Sequence, residues 1–186
     1  MMKKTLMTCA SLCALMLALS VAALAQGSFA GTWELDKSKS KMDERMASRL
    51  NGQTLTVTQD DKEIKVERKT DMAAPAGGGA GGGGGAGGGG GRGMGGGMGA
   101  PASTYKLDGS EVVTENPRGK MTSKAKLASG KLEINTVNNM NFNGNEMTMT
   151  SKETWELADG GKTLKITTVR DTPNGAMETT MVYNKK

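Results

Sequence analysis

The sequence predicts an all-β fold: an antiparallel up-and-down meander of about eight to ten strands, closed into a barrel, with one short helix after the first strand. Runs rich in Thr, Val, Ile and Leu alternate between apolar and polar residues, which is typical of strands with one buried face. Asp-Gly and Asn-Gly pairs separate the runs and tolerate the positive φ of tight hairpins. Because a closed barrel leaves no open edge, we favour it over a two-sheet β-sandwich.

The first strand is predicted over residues 31–35, where a Trp and a Thr follow a glycine. The period then changes, because Met42, Met46 and Leu50 recur every fourth residue. That spacing predicts one amphipathic helix of about three turns over residues 38–50. Ser38 or Ser40 is the expected N-cap, and the Asn-Gly pair after Leu50 is the expected stop.

The remaining runs predict hairpins in chain order. Asp60, Asp61 and Lys62 form the turn of the first hairpin. The final turns contain Asp159-Gly160-Gly161 and Asn174-Gly175, between strands of the same composition. The predicted strands after the helix cover residues 53–59, 63–69, 104–107, 111–115, 120–127, 131–137, 146–157, 162–171 and 176–185.

The N-terminus has the organisation of a secretory signal peptide. Lys3 and Lys4 precede an uncharged apolar run over residues 6–24, and Ala23-Leu24-Ala25 is a small-x-small cleavage site. Cleavage after Ala25 predicts a secreted or periplasmic protein with no stable membrane insertion, and a retained anchor is the alternative. The formal charge falls from +5 to +3 because both lysines leave, and Cys9 and Cys13 leave as well.

A glycine-rich tract interrupts the pattern. Residues 77–99 are almost entirely Gly, a composition that cannot bury apolar surface, so we expect disorder there. The single hairpin before the tract is too small to fold alone. We therefore predict one domain over residues 26–186 with a disordered loop at 73–103. The tract has a single Arg92 and no aromatic residue, and the charge is only mildly basic, so nucleic-acid binding is not expected.

The types of residue present exclude several common kinds of catalytic site. The chain has no His, and after cleavage no Cys, so it lacks catalytic triads, thiol redox sites and imidazole- or thiolate-based metal sites. We predict no cofactor, no metal and no enzymatic activity. A carboxylate enzyme using Glu153 is the alternative, although a place at the barrel rim is the favoured interpretation of Glu153. Met147-x-Met149 would fit a Cu(I) carrier, but methionine as core filling is the simpler interpretation.

Three short motifs resemble the calycin superfamily. They are the opening Gly31-Thr32-Trp33-x-Leu35, the following Met42-x3-Met46 helix, and the closing Val182-Tyr183-x-Lys185. The chain is also similar to small secreted bacterial lipocalin-like proteins of unknown function, whose Trp-x-Leu-x-Asp-Gly-x-Lys-Thr-Leu motif is nearly met between Trp155 and Leu164.

The resemblance implies a barrel in which Trp33 closes one end and a small apolar or amphipathic ligand lies inside. Fatty-acid-binding proteins bind the carboxylate of the ligand with an Arg-x-Tyr motif, but Met181 occupies the position of that Arg here. Arg170, one strand earlier, is a candidate to replace that Arg or to stack on Trp33, and a solvated strand residue is the favoured interpretation. The alternative function is a structural or interaction protein of the cell envelope with a filled barrel and a flexible tract. The candidate barrel-lining residues are Trp33, Tyr105, Met147, Met149, Trp155, Arg170 and Tyr183.

Overall fold

A computed structural model describes residues 27–73, 102–116, 119–142, 145–172 and 175–186. The predicted signal peptide and the glycine-rich tract lie outside these residues. The one α-helix in the described part, α1, covers Glu44–Arg49, and a short 3-10 helix covers Asp159–Gly161. The strands are β1 Gly31–Lys41, β2 Leu50–Gln59, β3 Glu63–Met72, β4 Ser103–Lys106, β5 Asp108–Asn116, β6 Gly119–Ala128, β7 Lys131–Phe142, β8 Asn145–Ala158, β9 Thr163–Thr172 and β10 Gly175–Lys185.

The strands form one antiparallel sheet in the order β4-β3-β2-β1-β10-β9-β8-β7-β6-β5. Except for β4 and β5, each strand pairs with its neighbours in sequence, and the first strand also pairs with the last, for example Trp33 with Lys185. This confirms the predicted up-and-down meander with one short helix after β1. The two-sheet sandwich is wrong, because all ten strands belong to a single sheet that curls back on itself.

One residue, Leu107, closes the barrel wall between β4 and β5, where a ladder of backbone hydrogen bonds would otherwise be expected. The pairing of β3 with β4 ends where Val66 meets Ser103. Leu107, between β4 and β5, donates its N–H to the carbonyl of Lys62 at 2.8 Å and accepts the N–H of Leu127 at 3.4 Å. The barrel is therefore nearly closed.

The helix is shorter than its sequence period predicts. Asp43 caps it, and its carboxylate accepts the N–H of Met46 at 2.9 Å, so neither Ser38 nor Ser40 is the N-cap. Leu50 already belongs to β2. The helix thus has six residues, and no helix in the described part of the chain is long and apolar enough to cross a membrane.

The first strand is longer than predicted because polar side chains hold residues 36–41 against the sheet. The carboxylate of Asp36 accepts the N–H groups of Ser38 and Lys39 and turns the chain locally. The register with β10 shifts between Asp36 and Lys41. Ser40 bridges the irregularity, since its hydroxyl accepts the N–H of Val182 at 3.0 Å.

One end of the barrel is filled with apolar side chains. Phe29 packs edge-on against Trp155, with ring centroids 5.9 Å apart, and its carbonyl accepts the indole N–H of Trp33 at 2.8 Å. Gln59 accepts the Phe29 N–H, which fixes the segment before β1. The buried cluster contains Phe29, Trp33, Leu55, Val57, Ile64, Val66, Tyr105, Leu107, Ala125, Leu132, Ile134, Trp155, Leu164, Ile166 and Tyr183.

Candidate functional site in the barrel interior

An ion pair crosses the interior above the apolar core. Arg68 on β3 donates from Nη2 and Nη1 to the two carboxylate oxygens of Glu153 on β8, at 2.8 and 3.3 Å. Four strands separate β3 from β8 in either direction around the barrel, so the two residues come from opposite walls. Both side chains are mostly buried, at 29% and 18% exposure. The favoured rim position of Glu153 is therefore wrong.

Trp155 supports the pair from the apolar side. Its indole N–H donates to Oε2 of Glu153 at 2.9 Å, and the guanidinium carbon of Arg68 lies 6.0 Å from its ring centroid. The carboxylate thus accepts three hydrogen bonds from two groups, and the guanidinium lies at cation–π distance from a buried ring.

The pair stays charged at neutral pH. Burial raises the pKa of Glu153, but the Arg68 charge and the hydrogen bonds from Arg68 and Trp155 outweigh burial and hold the pKa below its usual range. Burial likewise lowers the pKa of Arg68, but the charge of Glu153 and its hydrogen bonds, with smaller contributions from Tyr105 and Tyr183, together outweigh burial and raise the pKa of Arg68. Because an ionised, strongly paired carboxylate is a weak proton acceptor, Glu153 is poorly suited to general-base chemistry.

A second set of hydrogen-bonded polar side chains lies beside the ion pair, along the wall formed by β10, β1, β2 and β3. The hydroxyl of Tyr183 donates to Oε1 of Gln53, and Nε2 of Gln53 donates to the hydroxyl of Thr70 at 2.8 Å. Burial raises the pKa of Tyr183, so its phenol remains a donor at neutral pH. These bonds fix the side chains on β10, β2 and β3 around one space.

That space is a cavity of about 110 Å³. It lies between the ion pair and α1, and methionine and polar side chains share its walls. Pockets for drug-sized ligands usually measure roughly 300–1,000 Å³, so this cavity is small. Its lining consists of Asp43, Met46, Gln53, Arg68, Glu153, Ile166, Thr168, Arg170, Met177, Thr179, Met181 and Tyr183.

Arg170 gives the cavity its distinct electrostatics. Its Nε atom is buried and has no hydrogen-bond partner. The charge of Arg170 also lowers the pKa of Glu153, although its effect is smaller than those of Arg68 and Trp155. Two guanidinium groups therefore face one buried carboxylate, while Asp43 is exposed at the mouth. The interior has an excess of positive charge and an unused donor.

The predicted lining residues lie in three places: the apolar core, the cavity, and positions outside the cavity. Trp33, Tyr105 and Trp155 belong to the apolar core, and Trp33 lies under Lys185, whose Nζ is 5.1 Å from the ring centroid. Lys185, not Arg170, thus stacks on Trp33.

The other four predicted residues lie nearer the open end. Arg170 and Tyr183 line the cavity, whereas Met149 is half-buried and outside it. Met147 is 51% exposed and borders a surface depression of about 650 Å³ together with Met140. The larger volume is therefore outside the cavity that holds Arg170.

Two site residues were missed from the sequence although strand alternation marks them. Arg68 shares its face of β3 with Ile64 and Val66, and Gln53 shares its face of β2 with Leu55. A polar residue in phase with buried apolar neighbours is the signal that places both inside the barrel.

The architecture and the interior define a calycin-like barrel. No protein-family model matches the sequence, and no curated protein matches it either. The zebrafish ileal bile acid-binding protein in complex with cholic acid is similar over 85% of this chain and 98% of its own, with 13% identity and a TM-score of 0.50.

Two further solved structures are similar. A secretory abundant heat soluble protein from Ramazzottius varieornatus matches 84% of this chain and 94% of its own, with 10% identity and a TM-score of 0.50. The fluorescent protein UnaG matches 85% of this chain and 97% of its own, with 16% identity and a TM-score of 0.48. At such identities the likeness is one of fold, and the fold of this chain is calycin-like.

Proposed function

We propose that this chain is a non-catalytic binding protein for a small amphipathic ligand with an anionic group. The buried Nε of Arg170, which has no hydrogen-bond partner, carries the proposal. An anion beside Arg170 would receive that hydrogen bond and balance the excess positive charge of the interior. The bile acid-binding protein in complex with cholic acid, which has the same fold, supports a ligand inside the barrel.

The cavity walls limit the rest of the ligand. About 110 Å³ accommodates a short apolar chain, and Met46, Met177 and Met181 line the same space. Methionine side chains are flexible and repack easily around different shapes. The ligand we propose therefore has a carboxylate at Arg170 and a short apolar part against these methionines.

Titration with linear carboxylates from formate to octanoate, beside the alcohols of equal length, tests this proposal. We expect the carboxylates to bind at least about tenfold more tightly than the alcohols, with an optimum at short chains because of the cavity volume. Isothermal titration calorimetry gives the affinities. Arg170→Met should abolish the preference, and Arg45→Met, which removes an exposed arginine of α1, should preserve it.

A filled structural barrel is the second candidate function, favoured by the apolar core that occupies the other end. If carboxylates and alcohols all fail to bind the wild-type protein, the ligand proposal is wrong and the structural role is the better account. Native mass spectrometry of gently purified protein adds a direct test, since a retained small molecule would support binding. Secretion, which the N-terminal sequence predicts, stays a prediction.

A further inference from the structure

We propose that four methionines near the open end of the barrel form a binding site for a soft monovalent metal ion, Cu(I). The methionine patch consists of Met121 on β6, Met140 on β7, and Met147 and Met149 on β8. None of them lines the cavity that contains Arg170. The patch is therefore a second site, independent of the proposed ligand.

The strand register brings these four side chains together. Met140 pairs directly with Met147, and Asn138 pairs with Met121 on one side and Met149 on the other. Directly paired residues have Cβ atoms about 4.5–5.5 Å apart, and diagonal neighbours about 7–8 Å. Long, flexible thioether side chains can converge from such positions on one ion.

All four residues lie on the inner face of the wall. Strand alternation puts Met121 in phase with the buried Ala125, and it puts Met140 in phase with the buried Leu132. Met149 shares its face of β8 with Trp155. Met121, Met140 and Met149 are half-buried, whereas Met147 is 51% exposed, so the patch is sheltered but reachable from solvent.

Asn138 supplies an independent observation at the centre of the patch. Its side-chain oxygen Oδ1 is buried and has no hydrogen-bond partner. A buried amide oxygen without a partner costs free energy unless something else satisfies it. The positive charge of an ion held by the surrounding thioethers would attract this oxygen as a weak secondary contact, while the sulfur atoms remain the ligands that Cu(I) prefers.

The chemistry of the donors selects the metal. Thioether sulfur is a soft, neutral ligand that favours Cu(I) and, by the same softness, Ag(I). The described residues contain no group of three or more His, Cys, Asp or Glu side chains that could hold a metal ion. Hard divalent cations such as Mg²⁺ and Ca²⁺ require oxygen ligands and charge, so they are poor candidates for this patch.

The binding test uses the full chain with Cys9→Ser and Cys13→Ser, which removes the thiols that would otherwise compete for copper. Cu(I) is added under anaerobic conditions in competition with a chromogenic Cu(I) chelator. We expect one equivalent to bind, with a dissociation constant below about 1 μM. Failure of this protein to compete for any Cu(I) would overturn the proposal.

Matched variants locate the site. Met121→Leu, Met140→Leu and Met149→Leu together should weaken Cu(I) binding at least roughly a hundredfold, since one thioether cannot hold the ion. The control changes Met42, Met72 and Met177 to Leu, which removes the same number of thioethers outside the patch, and should alter affinity less than about threefold. Equal losses in both variants would show unspecific thioether binding and overturn the proposed site.

Methionine methyl NMR with Ag(I), which undergoes no redox change, gives the second readout. The methyl signals of the patch should shift as one equivalent is added, while those of Met46 and Met181 stay in place. Asn138→Leu should weaken Ag(I) binding by about fivefold at most, because it removes only the weak contact between the ion's charge and the amide oxygen. Shifts confined to methionines outside the patch would contradict the assignment, even if the protein binds silver.

Discussion

Arg68 and Glu153 meet across the barrel from walls that are four strands apart in both directions, with Nη2 and Oε2 separated by 2.8 Å. The pair divides the interior into two parts. On one side, Trp155 and the apolar core fill the space. On the other, the cavity contains Arg170 and methionine side chains. The pair thus forms the boundary between the apolar core and the cavity.

Removing one partner of this pair should cost more than removing both. Glu153→Gln leaves the Arg68 charge in the interior without a carboxylate, and we expect the free energy of unfolding to fall by about 2 kcal/mol, because the pair is not fully buried. Arg68→Met combined with Glu153→Leu should remain within about 1 kcal/mol of the wild type. Urea unfolding measures both. A double variant at least as unstable as Glu153→Gln would contradict this account.

The contribution of Glu153 to the free energy of unfolding should decrease as the pH falls. Its pKa is lower in the folded protein than in the unfolded chain, where it is about 4.3. Its stabilising effect is therefore complete above about pH 5 and is lost as the pH falls through the folded-state pKa. The difference in unfolding free energy between wild type and Glu153→Gln should shrink below about pH 4.

The comparison with Glu153→Gln isolates this one group. Asp36, Asp60, Asp108 and Glu156 also have lowered pKa values, because hydrogen bonds stabilise their ionised forms. They are present in both proteins, so their contributions cancel in the difference. A constant difference from pH 3 to pH 7 would show that the charge of Glu153 does not stabilise the fold.

The strand pattern was predictable, and the pairing inside the barrel was not, for a physical reason. Alternation is a local property: Arg68 is in phase with Ile64 and Val66 whatever the rest of the chain does. Its partner Glu153 is 85 residues away, and their contact depends on the barrel closing through β1 and β10. A single strand therefore reveals that Arg68 points inward but not which residue neutralises it.

The predicted helix was too long because apolar residues at every fourth position favour a helix, whereas contacts with the rest of the chain hold both ends of the segment in strands. Met42, Met46 and Leu50 match one helical face, yet only Met46 lies in α1. Asp36 and Ser40 hold the preceding residues near β10, and Leu50 is buried at the start of β2. Tertiary contacts override a short periodic segment of this kind.

Ser40 should contribute more to the stability of the fold than its half-exposed position indicates. Its hydroxyl accepts the N–H of Val182 and donates to the carbonyl of Asp36. Ser40→Ala removes both bonds, and we expect a loss of about 1–2 kcal/mol in the free energy of unfolding. The amide of Val182 should also exchange faster with solvent. Ser48→Ala is the control, because this exposed hydroxyl only contacts a carbonyl of its own helix, and its effect should stay below about 0.5 kcal/mol.

Gly119 should tolerate no side chain. A Cβ atom there would lie 2.0 Å from the carbonyl oxygen of Asn139 on the paired strand, and its φ is +156°. Since backbone atoms form the obstacle, Gly119→Ala must distort the β6–β7 pairing, and we expect a cost above about 2 kcal/mol. Gly52→Ala, where nothing lies within 4 Å of the added atom, should change stability by less than about 0.5 kcal/mol. Equal effects in thermal unfolding would contradict this.

Arg170 should separate stability from binding. Its Nε is buried without a hydrogen-bond partner, so Arg170→Met replaces an unsatisfied donor with an apolar side chain of similar length. We expect the free energy of unfolding to remain unchanged or to rise by up to about 1 kcal/mol, while binding of short carboxylates is lost. A purely structural residue would show the opposite, with a loss of stability. A fall of more than about 2 kcal/mol would mean that Arg170 serves the ion pair of Glu153 rather than a ligand, because only a needed counter-charge is so costly to remove.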